Sequence, residues 1–253
     1  MNRSFEQVAF RDIVQAADLL GLCVEPSIKL YACISCRSPL AILTQQGSPT
    51  VHNFQYSRTA HTIAKHLKIN YLSVTVSGNL VGYNVWTCHE SGVCPVKKFF
   101  TDILPKFVPS ECSYCRLKQP CHFKDDPDWQ PEIFTDVVYD PLTLELACRE
   151  FANQEASVCD LDALLIRPDD PSPVAAVETY VTRKQNHFKP FTIISRFADL
   201  LKIPAFLYCK VNGVGRICRV WDNRHTSEFV EVRNVRELAE YLETELANRF
   251  RSM

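Results

Sequence analysis

The chain has 253 residues, enough for one large domain or two of about 100–150 residues each, and 46% apolar with 23% charged residues allows a buried core and argues against disorder. A net charge of -1 and a pI near 6.6 exclude a globally basic, histone-like binder, so contact with nucleic acid must come from local basic surface. No run of about 18 apolar residues predicts a membrane span, and Met1–Ala17 has no signal-peptide core, so an intracellular protein (cytoplasmic or nuclear) with reduced cysteines is expected.

Phe5–Leu22 has apolar residues at helical spacing and Gly21 as a stop, which predicts a helix. Leu30–Cys36 reads as a short strand running into a cysteine knuckle, and Thr59–Leu67 as a helix. Tyr71–Val76 and Leu80–Trp86 alternate around Ser77-Gly78-Asn79, the pattern of a hairpin. Pro105–Pro131 is rich in Pro, Asp and Cys and places a domain boundary near residue 130. Beyond it, Pro141–Gln154 reads as a helix capped by Asp140. Val158–Ile166 and Val174–Thr182 read as strands, Phe191–Leu201 as a helix, and Pro204–Val211 and Arg216–Trp221 as a hairpin about Asn212–Gly215. Val235–Phe250 closes the chain as a helix capped by Asn234. No repeats are evident. The expected architecture is α/β (α+β): a cysteine-rich metal-binding domain over 1–130, then a mixed central sheet flanked by helices over 131–253.

Twelve cysteines in a reducing compartment suggest metal ligation where they cluster. Cys33-x2-Cys36 and Cys112-x2-Cys115 are knuckle pairs, each able to turn two thiolates toward one ion at about 2.3 Å. Cys88, Cys94, Cys121, His89 and His122 supply further candidate ligands. Structural zinc is the favoured ion. Cys112, Cys115 and Cys121 also resemble the cysteine triple with which certain helicase-associated and CRISPR-associated nucleases hold a [4Fe–4S] cluster, and thiolates accept both. Cys23, Cys148, Cys159, Cys209 and Cys218 lie in apolar contexts and are expected in cores.

The second half carries the chemical signal. Asp160 and Asp162 interrupt an apolar stretch, and Glu178 sits near the middle of the next strand. Acids in paired strands are costly unless compensated, and a divalent cation compensates them. Strands about 4.8 Å apart can bring Asp162 and Glu178 to one Mg²⁺ or Mn²⁺, which can activate water at a phosphodiester. The bland alternative is that these acids are solvated turn residues.

Residues 140–221 resemble the PD-(D/E)xK nuclease superfamily: a helix, an Asp-bearing strand, a Glu-bearing strand, a helix, then Ile203-Pro204 and an apolar strand. The resemblance implies that Asp162 or Asp160 is the motif aspartate, Glu178 its second acid, and Glu145 the acid of the first helix. Tyr180 stands in the motif's lysine position, with Lys184 four residues on as a migrated candidate. The gap before the Asp strand leaves little room for the extra strand usual in such domains.

Arg183–Lys189 mixes basic residues with His187 and Phe188, which suits phosphate contact and base stacking. Lys97, Lys98, Arg116 and Lys118 give the cysteines a basic rim. No GxSxG, GxGxxG or GxxxxGK[ST] motif is present, which removes support for serine-hydrolase and phosphate-loop readings. The leading expectation is a metal-dependent nuclease acting on DNA or RNA, with a zinc module that positions the substrate. Beside it stand an inactive nuclease fold that binds nucleic acid or a protein partner, and an interaction protein with purely structural metal.

Overall fold

In the computed structural model the described residues are 3–25, 28–33, 38–46, 54–109, 156–179, 188–220 and 227–251. The fold is α+β with two mixed sheets of six strands each. No helix among the described residues is long and apolar enough to cross a membrane.

The elements in chain order begin with α1 (Arg3–Leu19), β1 (Cys23–Glu25), β2 (Ile28–Cys33), β3 (Pro39–Gln46) and α2 (Arg58–Leu67). Then come β4 (Asn70–Ser77), β5 (Leu80–Val85), β6 (Glu90–Pro95), α3 (Val96–Lys98), a π turn (Phe99–Ile103) and α4 (Leu104–Phe107). The rest are β7 (Ala156–Asp160), β8 (Ala163–Ile166), β9 (Pro173–Thr179), α5 (Phe188–Leu201), β10 (Ala205–Val211), β11 (Val214–Val220), β12 (Val230–Val232) and α6 (Val235–Arg251).

The chain forms two compact units, one of Met1–Pro26 with Leu161–Met253 and one of Ser27–Asp160. These are bounded differently from the expected halves at residue 130, because α1 and β1 join the sheet of the C-terminal residues. β1 pairs antiparallel with β8, giving the order β1-β8-β9-β10-β11-β12, in which only β9 and β10 run parallel. The second sheet runs β7-β2-β3-β4-β5-β6, with only β3 and β4 parallel. The stretch read as one strand, Val158–Ile166, is therefore two strands. β7 ends at Asp160 in one sheet and β8 starts at Ala163 in the other.

The two sheets repeat one another, which corrects the reading that the chain has no repeats. Pro39 and Pro173 open equivalent strands 134 positions apart (173 minus 39), each after a register shift in the preceding hairpin. The same spacing relates Thr44–Ser73 to Glu178–Leu207 across the parallel pairs, and Val24–Leu165 to Val158–Tyr31 across the outer pairs. It continues into the hairpins closed by Ser77–Leu80 and Val211–Val214. Each repeat thus gives its first strand to the sheet that holds the rest of the other repeat. Both crossover helices end alike: Lys68 (φ 57) and Lys202 (φ 55) are left-handed, and Ile69 N–H and Ile203 N–H reach back to Ala64 and Ala198 carbonyls at 3.0 and 2.9 Å. This closure satisfies the last carbonyls of each helix, a position that usually takes glycine. Lys202→Gly should relieve the left-handed backbone and raise stability by up to about 1 kcal/mol in denaturant unfolding. A loss would show that the lysine side chain itself holds the turn.

In the first unit Leu165, Ala175, Val177, Phe206, Tyr208 and Ile217 share an apolar cluster with Ala9, Ile13, Ala16 and Ala17 of α1 and Leu238, Ala239 and Leu242 of α6. Alternation along the strands puts Ala176, Glu178 and Leu207 on the opposite face. α5 packs against β9 and β10, with Ile193, Ile194, Phe197 and Ala198 buried. The expected Asn234 cap is present: its Oδ1 accepts Glu237 N–H at 3.0 Å, while Glu237 accepts Arg233 N–H at 2.8 Å. In the second unit Leu43, Leu72, Val74 and Tyr83 pack with Phe99, Phe100, Ile103, Leu104 and Phe107.

Candidate functional site

β8 and β9 are antiparallel with Ala163 opposite Val177, so the residue just before β8 meets the end of β9. Asp162 Oδ2 there accepts Thr179 N–H at 2.7 Å and the Thr179 hydroxyl at 2.6 Å. Glu178 Oε2 lies 3.5 Å from Asp162 N. Both acids are half-buried, and Leu207 of β10 flanks Glu178 in register. Each carboxylate thus accepts hydrogen bonds from the facing strand, which favour its ionised form. Among the described residues no group of three or more His, Cys, Asp or Glu side chains is placed to hold a metal ion. One or two carboxylates completed by water and phosphate oxygens is the set that Mg²⁺ favours.

Asp160 belongs to β7, where it is paired with Lys29, and so does not share a strand with Asp162. On one continuous strand over Val158–Ile166, alternation would put the two acids on the same side. The chain instead leaves one sheet between them. Glu145, Tyr180, Lys184 and residues 183–187 of the basic loop lie outside the described residues, whereas Phe188 and Lys189 begin α5 and so belong to a helix rather than a loop. α1 packs on β8, β9 and β10 from the face opposite Asp162 and Glu178, and its buried acid is Asp12. Asp12 Oδ2 accepts the Tyr208 hydroxyl at 2.7 Å and Lys210 Nζ at 2.8 Å. Burial, then the hydrogen bond to Asp12, pushes the Tyr208 phenol well above its ordinary value. This ion pair was missed, although an aspartate in the apolar stripe of Ala9, Ile13 and Ala16 is the signal that marks it.

Of the nine candidate thiolate and imidazole ligands, Cys36, Cys112, Cys115, Cys121 and His122 lie outside the described residues, as do Arg116, Lys118 and Cys148. Cys33 on β2 and Cys94 on β6 are buried in the apolar core of their sheet, with three strands between them. At about 4.8 Å per strand they are too far apart to share an ion. Burial pushes the Cys94 thiol up, Asp102 adds to this and Lys98 opposes it. Cys88 and His89 are exposed in the turn from β5 to β6, and Lys97 and Lys98 are exposed at the start of the helical segment that follows β6.

Cys209 and Cys218 are core residues as expected. Cys23 is exposed, because β1 is the outermost strand of its sheet. Burial, opposed by a Leu207 backbone hydrogen bond, pushes the Cys218 thiol up to about 11. A raised thiol is protonated and unreactive near pH 8. Iodoacetamide at that pH should label Cys23 and Cys88 in the folded protein and spare Cys209 and Cys218. Mass mapping showing early label on Cys218 would contradict its burial.

No protein-family model, curated protein or solved structure matches the chain.

Proposed function

We propose that the unit of residues 1–26 and 161–253 is a metal-dependent nuclease that hydrolyses phosphodiester bonds in DNA or RNA. The observation that carries this reading is the meeting of Asp162 and Glu178 at the ends of two adjacent strands. Further support comes from the order of elements. β1 supplies a strand beside β8, where the sequence before Asp162 has little room for one, and β8, β9, α5 and β10 then follow in the strand, strand, helix, strand order of the PD-(D/E)xK resemblance.

Asp162 and Glu178 would hold Mg²⁺ or Mn²⁺. Such an ion, when bound, lowers the pKa of a water and offsets charge on the phosphate. Asp162 is oriented by Thr179, whose N–H and O–H fix one carboxylate oxygen. Glu178 is held by the register of β9 between β8 and β10. Lys184 is the proposed ammonium that orients the water. Cys112, Cys115, Cys121 and His122 are proposed ligands of a separate structural zinc ion. Labelling of those thiols by iodoacetamide only after chelation supports it, and labelling without chelator removes it.

Labelled single- and double-stranded DNA and RNA, incubated with the full chain in Mn²⁺ or EDTA, test the main reading. Cleavage with Mn²⁺ and none with EDTA is expected. No cleavage of any substrate would overturn hydrolysis. Tyr180 in the lysine position favours the second reading, a nuclease fold that binds nucleic acid without cutting it.

A further inference from the structure

The internal repeat asks what the second unit does at the strand positions where the first carries its acids. The 134-residue spacing maps Asp162 onto Ile28 and Glu178 onto Thr44, so this copy has no carboxylate pair there. It has a buried network of neutral groups instead. Thr44 Oγ1 lies 3.1 Å from both Tyr71 Oη and Ser73 Oγ, and those two atoms are 3.1 Å apart. Ser73 Oγ donates to the Gln55 carbonyl at 3.0 Å and accepts Trp86 Nε1–H at 2.7 Å. Tyr71 Oη accepts Ser57 N–H at 2.9 Å.

This network holds a group of rings in place. Tyr71 and Trp86 are near parallel (21°) with centroids 6.5 Å apart. Tyr56 meets Trp86 edge-on at 5.0 Å and His61 at 5.5 Å. Yet Tyr56 remains 46% exposed, and Trp86 and His61 are only half-buried. His61 Nδ1 is buried without a hydrogen-bond partner. Next to Tyr56, Ser57 caps α2 and exposed Arg58 opens it, a setting that suits a phosphate.

We propose that this ring cluster is a binding site for an unpaired nucleobase of a single-stranded nucleic acid. The inference rests on the nuclease reading for its choice of ligand. The cluster lacks the carboxylate oxygens that Mg²⁺ favours, whereas partly exposed aromatic rings accept any base by stacking. A base within a duplex is already stacked on its neighbours and does not enter. Tyr56 and Trp86 carry the stacking, and Thr44, Tyr71 and Ser73 are positioning residues that fix the Trp86 ring.

The test is fluorescence anisotropy of a fluorescein-labelled single-stranded oligonucleotide and its duplex, titrated with the full chain in EDTA to block cleavage. Stacking is worth about 1–3 kcal/mol per base, so Tyr56→Ala should weaken single-strand binding about tenfold or more. Tyr56→Phe should bind within about twofold of the original chain, and duplex binding should be unchanged in both. Thermal unfolding confirms that the exposed Tyr56→Ala variant is folded. Equal single-strand affinity for Tyr56→Ala, or an equal loss on duplex, overturns the base site. Cleavage with Mn²⁺ that survives alongside unaltered Tyr56→Ala binding would remove the base site alone. Tyr56-dependent binding without cleavage would remove hydrolysis alone.

Discussion

Glu178→Gln should abolish metal-dependent cleavage while leaving the fold intact. The substitution keeps the size of the side chain and removes its charge, so it tests the ion-binding role and little else. A carboxylate lost from a two-carboxylate site removes several kcal/mol of charge stabilisation, on the order of a thousandfold in rate. Asp162→Asn should fall comparably in rate, but its structural effect differs. An asparagine oxygen can still accept the Thr179 N–H and O–H, whereas Asp162→Ala leaves that half-buried N–H without its partner and costs about 1–3 kcal/mol in addition. Initial rates with Mn²⁺, set beside thermal unfolding of all three variants, separate the two contributions. Cleavage that persists in both Glu178→Gln and Asp162→Asn would place the active groups elsewhere in the chain.

Much of the architecture was legible where local signals were strong. α1, α2, α5 and α6 follow apolar stripes of helical period, and Asn234 with Glu237 marks the start of α6 in the sequence itself. The hairpins at 77–80 and 211–214 were visible for the same reason; at the latter, Asn212 and Gly213 both take positive φ, the turn that suits strand twist. β1 was not visible, since three residues on an outer strand give no periodicity. Its role is set by pairing with β8, some 140 residues on, and pairing leaves no local trace. The break between Asp160 and Ala163 was missed because alternation along a strand does not reveal which sheet the strand joins. The repeat was hidden by side-chain divergence. Ser38-Pro39, Ala41 and Leu67-Lys68-Ile69 match Ser172-Pro173, Ala175 and Leu201-Lys202-Ile203, but most other equivalent positions differ. Cores accept such apolar exchanges when volume and pattern are kept, so register outlasts sequence likeness. At the candidate site, Asp162 and Glu178 were read from the sequence and are brought together. The ring cluster was not, because its members come from separate elements over residues 44–86: the parallel pairing of β3 with β4 sets Thr44 beside Ser73, and the β4–β5 hairpin sets Trp86 beside Tyr71.

Removing residues 1–26 should unfold the unit that carries Asp162 and Glu178. A fragment of residues 131–253, the domain that the sequence alone suggests, lacks α1 and β1. Ala9, Ile13, Ala16 and Ala17 would then be missing from the core that covers Leu165, Val177, Phe206 and Tyr208. Lys210 and Tyr208 would lose the Asp12 carboxylate. β8 would be left as an open edge with Leu164 and Leu165 unpaired on that side, a template for aggregation. The fragment should therefore show no cooperative thermal transition by circular dichroism. Addition of a peptide of residues 1–26 should restore one, since the lost contacts are non-covalent and local to that segment. In the full chain, Ile13→Ala should cost about 2–5 kcal/mol, the range for a buried isoleucine, read from denaturant unfolding. A fragment that folds cooperatively without residues 1–26 would contradict the exchange of first strands between the repeats. The candidate active site would then stand on residues 161–253 alone. If instead the peptide restores both the transition and metal-dependent cleavage, the nuclease site depends on a segment that the inserted unit of Ser27–Asp160 separates from its acids.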